Sequence, residues 1–276
     1  MRHVDRNKTL LRPVFSCLFL ASFLLLVGEF ALQSSAIAED SPGRTSFPLE
    51  ADAKPAIGQI AGIKLSNPHH YMPRGVHYKG ESVWKPEKTH PPRTFESEIE
   101  DFGILLRQST YQPVQTVTDW LDYQAYSRTF PHPADNLWLL MDVFPSIYRG
   151  TNGTLRHIYD NYMKEDPHPL HWGPFIPQEG EVSGLKRAVS AKPEAERSIG
   201  EVDELLYDPT TWTTVVTCSS YHQDIPPFAL RSRCKHYFTV SEIQSVAKVH
   251  FEKADLVRWS EREGEIRKVI RSFIVP

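Results

Sequence analysis

The stretch "DPHPLHWG" sets Asp166, His168 and His171 close together, a carboxylate and two imidazoles of the kind that hold zinc or relay protons. "NPHHYMPRGVH" offers a second histidine group, His69, His70 and His77. A mononuclear zinc site takes three protein ligands fixed on a helix or strand. The first group has only two histidines, set among prolines, so both groups read as surface or packing histidines, and no metal or cofactor is expected. Ser219 and Ser220 follow a strand-like run without the G-x-S-x-G elbow of a nucleophilic serine. Asp142 is the one acid in the apolar run "LWLLMDVF". A half-buried carboxylate there is expected to pair with an arginine or a backbone donor rather than catalyse. No catalytic residue is assigned. The enzyme alternative is an exported hydrolase using Asp166, His168 and His171.

The cysteines carry a different chemistry, and their compartment decides which. Arg2, Arg6, Lys8 and Arg12 give a basic start, residues 14–28 are uncharged and mostly apolar, and Ala36-Ile37-Ala38 follows. That order reads as a secretory signal peptide over 1–38, cleaved after Ala38. A bilayer span takes about 20 apolar residues, so the run is short for an anchor. An N-terminally anchored envelope protein is the alternative. Cleavage removes Cys17 and leaves Cys218 and Cys234, an even count in an oxidising compartment. Fifteen residues separate them, which is not C-x-x-C, and only His222 and His236 lie near, without zinc spacing. A disulfide is the expected state, and its loop would contribute about 3 kcal/mol by restricting the unfolded chain.

Removing residues 1–38 takes four of 31 basic and two of 34 acidic side chains, leaving 27 against 32 and a net charge of −5. Mild acidity argues against a nucleic-acid partner. The chain beyond residue 38 is long enough to bury a full core.

The elements that must position these residues follow from pattern. Residues 39–56 are polar and Pro-punctuated, a flexible lead-in. "IGQIAGIKL" (57–65) reads as a first strand, 78–95 as a Pro-rich surface loop, and "FGILLR" (102–107) as a buried strand. "VQTVTDWLDYQAY" (114–126) has helical spacing, and "LWLLMDVF" (137–144) reads as a central strand. "NGTLRHIYDNYMKED" (152–166) sets Leu155, Ile158, Tyr159, Tyr162 and Met163 on one helix face, capped by Asn152 or Thr154. That cap use takes precedence over the glycosylation sequon formed by the same residues. Residues 164–181 read as a second Pro-rich crossing, "EVSGLKRAV" (181–189) as a strand, and "SAKPEAERSIGEVDE" as a charged connector. "WTTVVTC", "CKHYFTV" and "SVAKVHFE" are three β-branched strands. The closing helix carries Leu256, Trp259, Ile266, Val269, Ile270 and Phe273 as its apolar stripe. The whole reads as α+β: antiparallel sheet or sheets, with the C-terminal amphipathic helix packed on a three-stranded meander. An N-terminal part (57–180) and a C-terminal part (181–276) are expected, either separate or as one continuous domain.

The loop between the cysteines offers Tyr221, Phe228, Arg231 and Arg233, residue types that anchor protein interfaces. They are the candidate interface residues, against the plainer reading in which Phe228 packs back on the sheet and the arginines are solvated.

Several pieces occur in a familiar order: "IAGIKLSNPHHY", "VHYKGESVW", "FGILLR", "GLKRAV", "ELLYDP", "RCKHYF" and "VHFEKADLVRWSEREGEIRKVIRSF". Over residues 57–276 the chain resembles exported uncharacterised proteins of Gram-negative bacteria linked to type VI secretion lipase effectors as their periplasmic immunity proteins. The resemblance implies a periplasmic protein whose partner is a secreted lipolytic toxin, and none of the shared motifs is catalytic. Its variable central loops fall at 78–95 and 164–181.

Overall fold

A computed structural model describes residues 54–72, 75–81, 92–128, 138–146, 151–164, 174–197, 201–219 and 233–276. The chain divides into two units, Met1–Ser46 and Phe47–Pro276, and every described residue belongs to the second. The expected signal peptide, nearly all of the lead-in, Asp166, His168, His171, Tyr221, Phe228 and Arg231 lie outside the described residues.

The fold is α+β. A hairpin of β1 (Ala56–Ile60) and β2 (Ile63–Asn67) stands beside a nine-stranded sheet of β3 (Val76–Tyr78), β4 (Ile99–Arg107), β5 (Trp138–Pro145), β6 (Phe175–Val182), β7 (Leu185–Ser190), β8 (Val202–Tyr207), β9 (Thr214–Ser219), β10 (Arg233–Val240) and β11 (Ser245–Glu252). Their spatial order is β3-β4-β5-β11-β10-β9-β8-β7-β6, every neighbouring pair antiparallel. Strands from both ends of the chain thus share one sheet, joined where β5 meets β11. Among the described residues three α-helices complete it: α1 (Val117–Arg128), α2 (Thr151–Met163) and α3 (Trp259–Arg271).

Alternation along the strands sends one set of side chains to each face of the sheet. Phe102, Ile104, Met141, Val216, Phe238 and Val249 meet Ile266, Ile270 and Phe273 of the C-terminal segment. Fully burying each such side chain stabilises by roughly 1.5–3 kcal/mol. The stripe read from sequence is therefore the docking face, although residues Lys253–Arg258 form a 3-10 turn before α3 begins. After α3 the chain pairs with the hairpin, Ser66 N donating to Phe273 O and Val275 N to Lys64 O. Among the described residues the opposite face is covered in two places. Leu155, Ile158, Tyr159 and Tyr162 of α2 pack over Leu205, Tyr207 and Val215, and Trp120, Tyr123 and Tyr126 of α1 pack over Leu105, Trp138 and Leu140.

Local sequence explains four departures from the pattern reading. The run 57–65 is a hairpin rather than one strand, because Ala61 and Gly62 both take positive φ in a two-residue turn. Ser183 and Gly184 do the same between β6 and β7, so 181–189 is also a hairpin. The second half of the expected crossing 164–181 is β6, an edge strand mostly facing solvent. Pro177 and a register shift between Gln178 and Glu181 keep that edge from pairing further. The charged connector ends in a strand, β8, which lies inside the sheet.

Helix α2 begins at Thr151, so neither Asn152 nor Thr154 is its cap. Asn152 instead donates its amide to Thr211 O, and the Thr154 hydroxyl meets that of Ser146 at 2.6 Å. Helix α1 starts with a capping box. Asp119 N donates to the Thr116 hydroxyl, and the Asp119 carboxylate accepts from Thr116 N. Among the described residues no helix is long and apolar enough to cross a membrane.

Candidate functional site

The staple lies where β9 and β10 end together. Cys234 is the register partner of Cys218, their Cα atoms are 4.1 Å apart, and a disulfide joins them. Both sulfurs point into the core beneath α3. One residue earlier in β10, Arg233 projects from the opposite face, its register partners being Ser219 and Glu252. Of the four candidate interface residues it is the one that the structure describes.

Arg233 lines a groove of about 430 Å³ on that face, between the patches covered by α1 and α2. Its floor comes from β5 and β11, through Asp142, Lys248, His250 and Glu252, and one wall from Tyr123 and Tyr126 of α1. The wall is fixed electrostatically, since α1 has little amphipathic pattern. Arg107 reaches Asp119 at 3.1 Å and Asp122 at 2.9 Å while lying over the Trp138 ring. Trp138 Nε1 donates to Asp122 at 3.2 Å.

Asp142 is half-buried, and Lys248 pairs with it at 2.7 Å. Burial and the nearby Lys248 and Lys235 push the His250 imidazole down to about 4. It is neutral at ordinary pH. A second recess of about 500 Å³ lies by the β1–β2 turn. Lys79 and Glu98 neutralise each other there at 2.6 Å, and among the described residues no aromatic side chain converges on it.

One buried cluster has the residue types of a hydrolytic site. His236 Nε2 is 3.4 Å from Glu263 Oε2, the same oxygen accepts from the Thr214 hydroxyl at 2.9 Å, and Arg267 donates to Oε1. A nucleophile must bond to its base and be reachable by substrate. Thr214 bonds the carboxylate instead of the imidazole, and both Thr214 and His236 are buried. Burial holds the His236 pKa below its ordinary value, despite Glu263. Burial also raises the Glu263 pKa, but His236 and Arg267 outweigh it and hold the carboxylate ionised. The cluster clamps α3 to the sheet.

His69 and His70 sit in a 3-10 turn, and His77 pairs with Asp101 at 2.8 Å. Among the described residues no group of three or more His, Cys, Asp or Glu side chains is placed to hold a metal ion. Pattern reading missed Gln108, Tyr123, Tyr126, Lys248 and His250. One signal was present in β11: Lys248, His250 and Glu252 alternate with buried Ala247, Val249 and Phe251. A central strand with one polar face marks a strip of sheet that no helix among the described residues covers.

No known protein family and no curated protein matches this sequence. Among solved structures, an immunity protein of the Stenotrophomonas maltophilia type IV secretion system is similar in fold. The TM-score is 0.51 at 12% identity, over 84% of this chain and 98% of that one.

Proposed function

We propose that this chain is an exported immunity protein, which neutralises a secreted toxin by binding it in the periplasm. The fold likeness to a secretion-system immunity protein along nearly that protein's whole length carries the reading. The basic, apolar and small-residue order at the N-terminus and the Cys218–Cys234 bridge fit an oxidising compartment. Inhibition by occlusion needs a complementary surface of standard size and no acid, base or metal. The finer reading is a lipolytic toxin delivered by a type VI system, which the motif order from "IAGIKLSNPHHY" to "RKVIRSF" supports.

The test is coexpression with a lipase-like protein, directed to the periplasm, drawn from the genes neighbouring this chain's own, and the absence of any such gene there counts against the lipolytic reading. Growth should recover when this chain carries its N-terminal segment and fail to recover without it. The purified chain should inhibit the lipase at a one-to-one ratio. Unchanged toxicity with a well-expressed chain, or hydrolysis of lipid esters by the chain itself, would overturn the proposal.

A further inference from the structure

We propose that the groove walled by Tyr123 and Tyr126 is a ligand site of its own, and that it takes a short neutral oligosaccharide. The inference is independent of the immunity role, since a glycan would be held here whether or not the chain meets a toxin.

The lining does not select by charge. Among the described residues Arg233 and Lys248 stand against Asp142 and Glu252, and the His250 imidazole is neutral. What the groove offers is paired hydrogen-bonding capacity. Asp142 and Lys248 touch at 2.7 Å and both stay partly exposed. That contact takes one of the three ammonium hydrogens and leaves the carboxylate further lone pairs. A donor and an acceptor therefore stand side by side, as two neighbouring sugar hydroxyls require: one accepts from Lys248 and the other donates to Asp142. At the far end the register partners Arg233 and Glu252 set a guanidinium beside a carboxylate. Lys248 and Glu252 are four residues apart on β11, so the two pairs bracket a slot about 13 Å long. Uncharged groups fill the interval. The His250 ring nitrogens and the Tyr123 hydroxyl make no hydrogen bond among the described residues. Gln108 donates its amide to Asp255, while its carbonyl oxygen accepts from no described residue.

Shape favours a sugar over a segment of another protein. The pairing of β5 with β11 ends at Met141 and Val249, although β5 begins at Trp138 and β11 runs on to Glu252. The groove lies where that register stops, and its volume of about 430 Å³ is that of a small-ligand pocket. A protein interface needs a far broader surface. Tyr123 and Tyr126 supply ring area against which the C–H face of a sugar can lie. The Tyr123 ring is braced edge-on by Trp138, with centroids 5.8 Å apart, and Arg107 holds α1 through Asp119 and Asp122. A wall fixed in advance loses little entropy on binding.

The experiment titrates the full exported chain with cellotriose, maltotriose and chitotriose, followed by calorimetry. At least one should bind, with affinity changing by about twofold or less between 50 and 300 mM salt, because screening does not act on a neutral ligand. Tyr123→Ala should weaken binding by roughly tenfold or more, through loss of the ring. Tyr123→Phe keeps the ring and the packing on Trp138, and should weaken it about threefold through the lost hydroxyl. That second variant decides the matter if Tyr123→Ala does not fold. Lys268→Glu, on the exposed side of α3, should leave binding unchanged. Three results overturn the proposal: no binding of any of the three sugars, equal affinity for both Tyr123 variants and wild type, or a severalfold loss of affinity in salt. Binding of an uncharged Gln/Tyr hexapeptide without sugar binding would also overturn it, by assigning the groove to a protein segment. The toxin-protection assay is a separate readout. Protection without sugar binding leaves the immunity role standing and removes the glycan site, and sugar binding without protection does the reverse.

Discussion

The Arg262 guanidinium lies over the Phe251 ring, 3.9 Å from its centroid, at the buried junction of α3 and β11. Arg262 is 1% exposed. Its Nη2 donates to Asp255 O, while Nε and Nη1 meet no acceptor among the described residues. Burial pulls its pKa down to about 10. A buried cation satisfied at only one of three nitrogens costs desolvation that its contacts offset only in part. Arg262→Met keeps the volume and removes the charge, so its stability in urea should equal or exceed that of the wild type, by up to about 2 kcal/mol. A loss above about 2 kcal/mol would show that the cation is a net stabiliser.

The bridge between Cys218 and Cys234 should be visible through reductant. In oxidising buffer the double Cys218→Ala/Cys234→Ala variant should be less stable than wild type by about 3 kcal/mol. In dithiothreitol the two should come within about 1 kcal/mol of each other, the remainder being lost sulfur packing. Equal melting temperatures in oxidising buffer would mean that the bridge contributes nothing.

Two glycines should respond with opposite signs. A Cβ on Gly264, in the middle of α3, would meet nothing within 4 Å. Gly264→Ala should therefore stabilise by about 1 kcal/mol, the helix-propensity difference. A Cβ on Gly58 would stand 2.7 Å from Ser97 O and 2.8 Å from Ile99 Cγ1. The β1–β4 approach would have to open, so Gly58→Ala should destabilise by roughly 1–3 kcal/mol. Denaturant midpoints of the two variants check both.

Acid should weaken the fold partly through His250. The unfolded imidazole protonates near 6.5, whereas burial and the nearby Lys248 and Lys235 hold the folded one to about 4. Between those values the unfolded chain binds a proton that the native one refuses. The contribution is whole above pH 6.5, falls as pH drops toward 4, and is flat below. His236 is shifted in the same direction by burial and adds to the slope. His250→Gln should reduce the stability lost between pH 7.5 and 4.5 by about 2 kcal/mol. Urea midpoints of wild type and variant at the two pH values make the comparison, and parallel pH dependence would refute the assignment.

What the sequence by itself determined is local. The 3.6-residue spacing of Leu155, Ile158, Tyr159 and Tyr162 specified α2 and its buried face, and the stripe ending in Ile270 and Phe273 did the same for α3. The β-branched runs around Val215, Phe238 and Val246 specified three strands, and the places of Cys218 and Cys234 near facing strand ends suggested their bridge. Strands β6 and β8 were illegible for opposite reasons. The edge strand "FIPQEGEV" is polar on both faces with a proline inside, and "VDELLY" mixes two acids with an apolar run that has no period. Tertiary structure decided the groove. It forms because β5 pairs with β11 across about a hundred residues of sequence, setting Lys248 opposite Asp142, and because α1 and α2 cover the sheet on either side of that seam. Strand pairing over such separations is fixed by which faces must be buried together, and no local window of sequence contains that information.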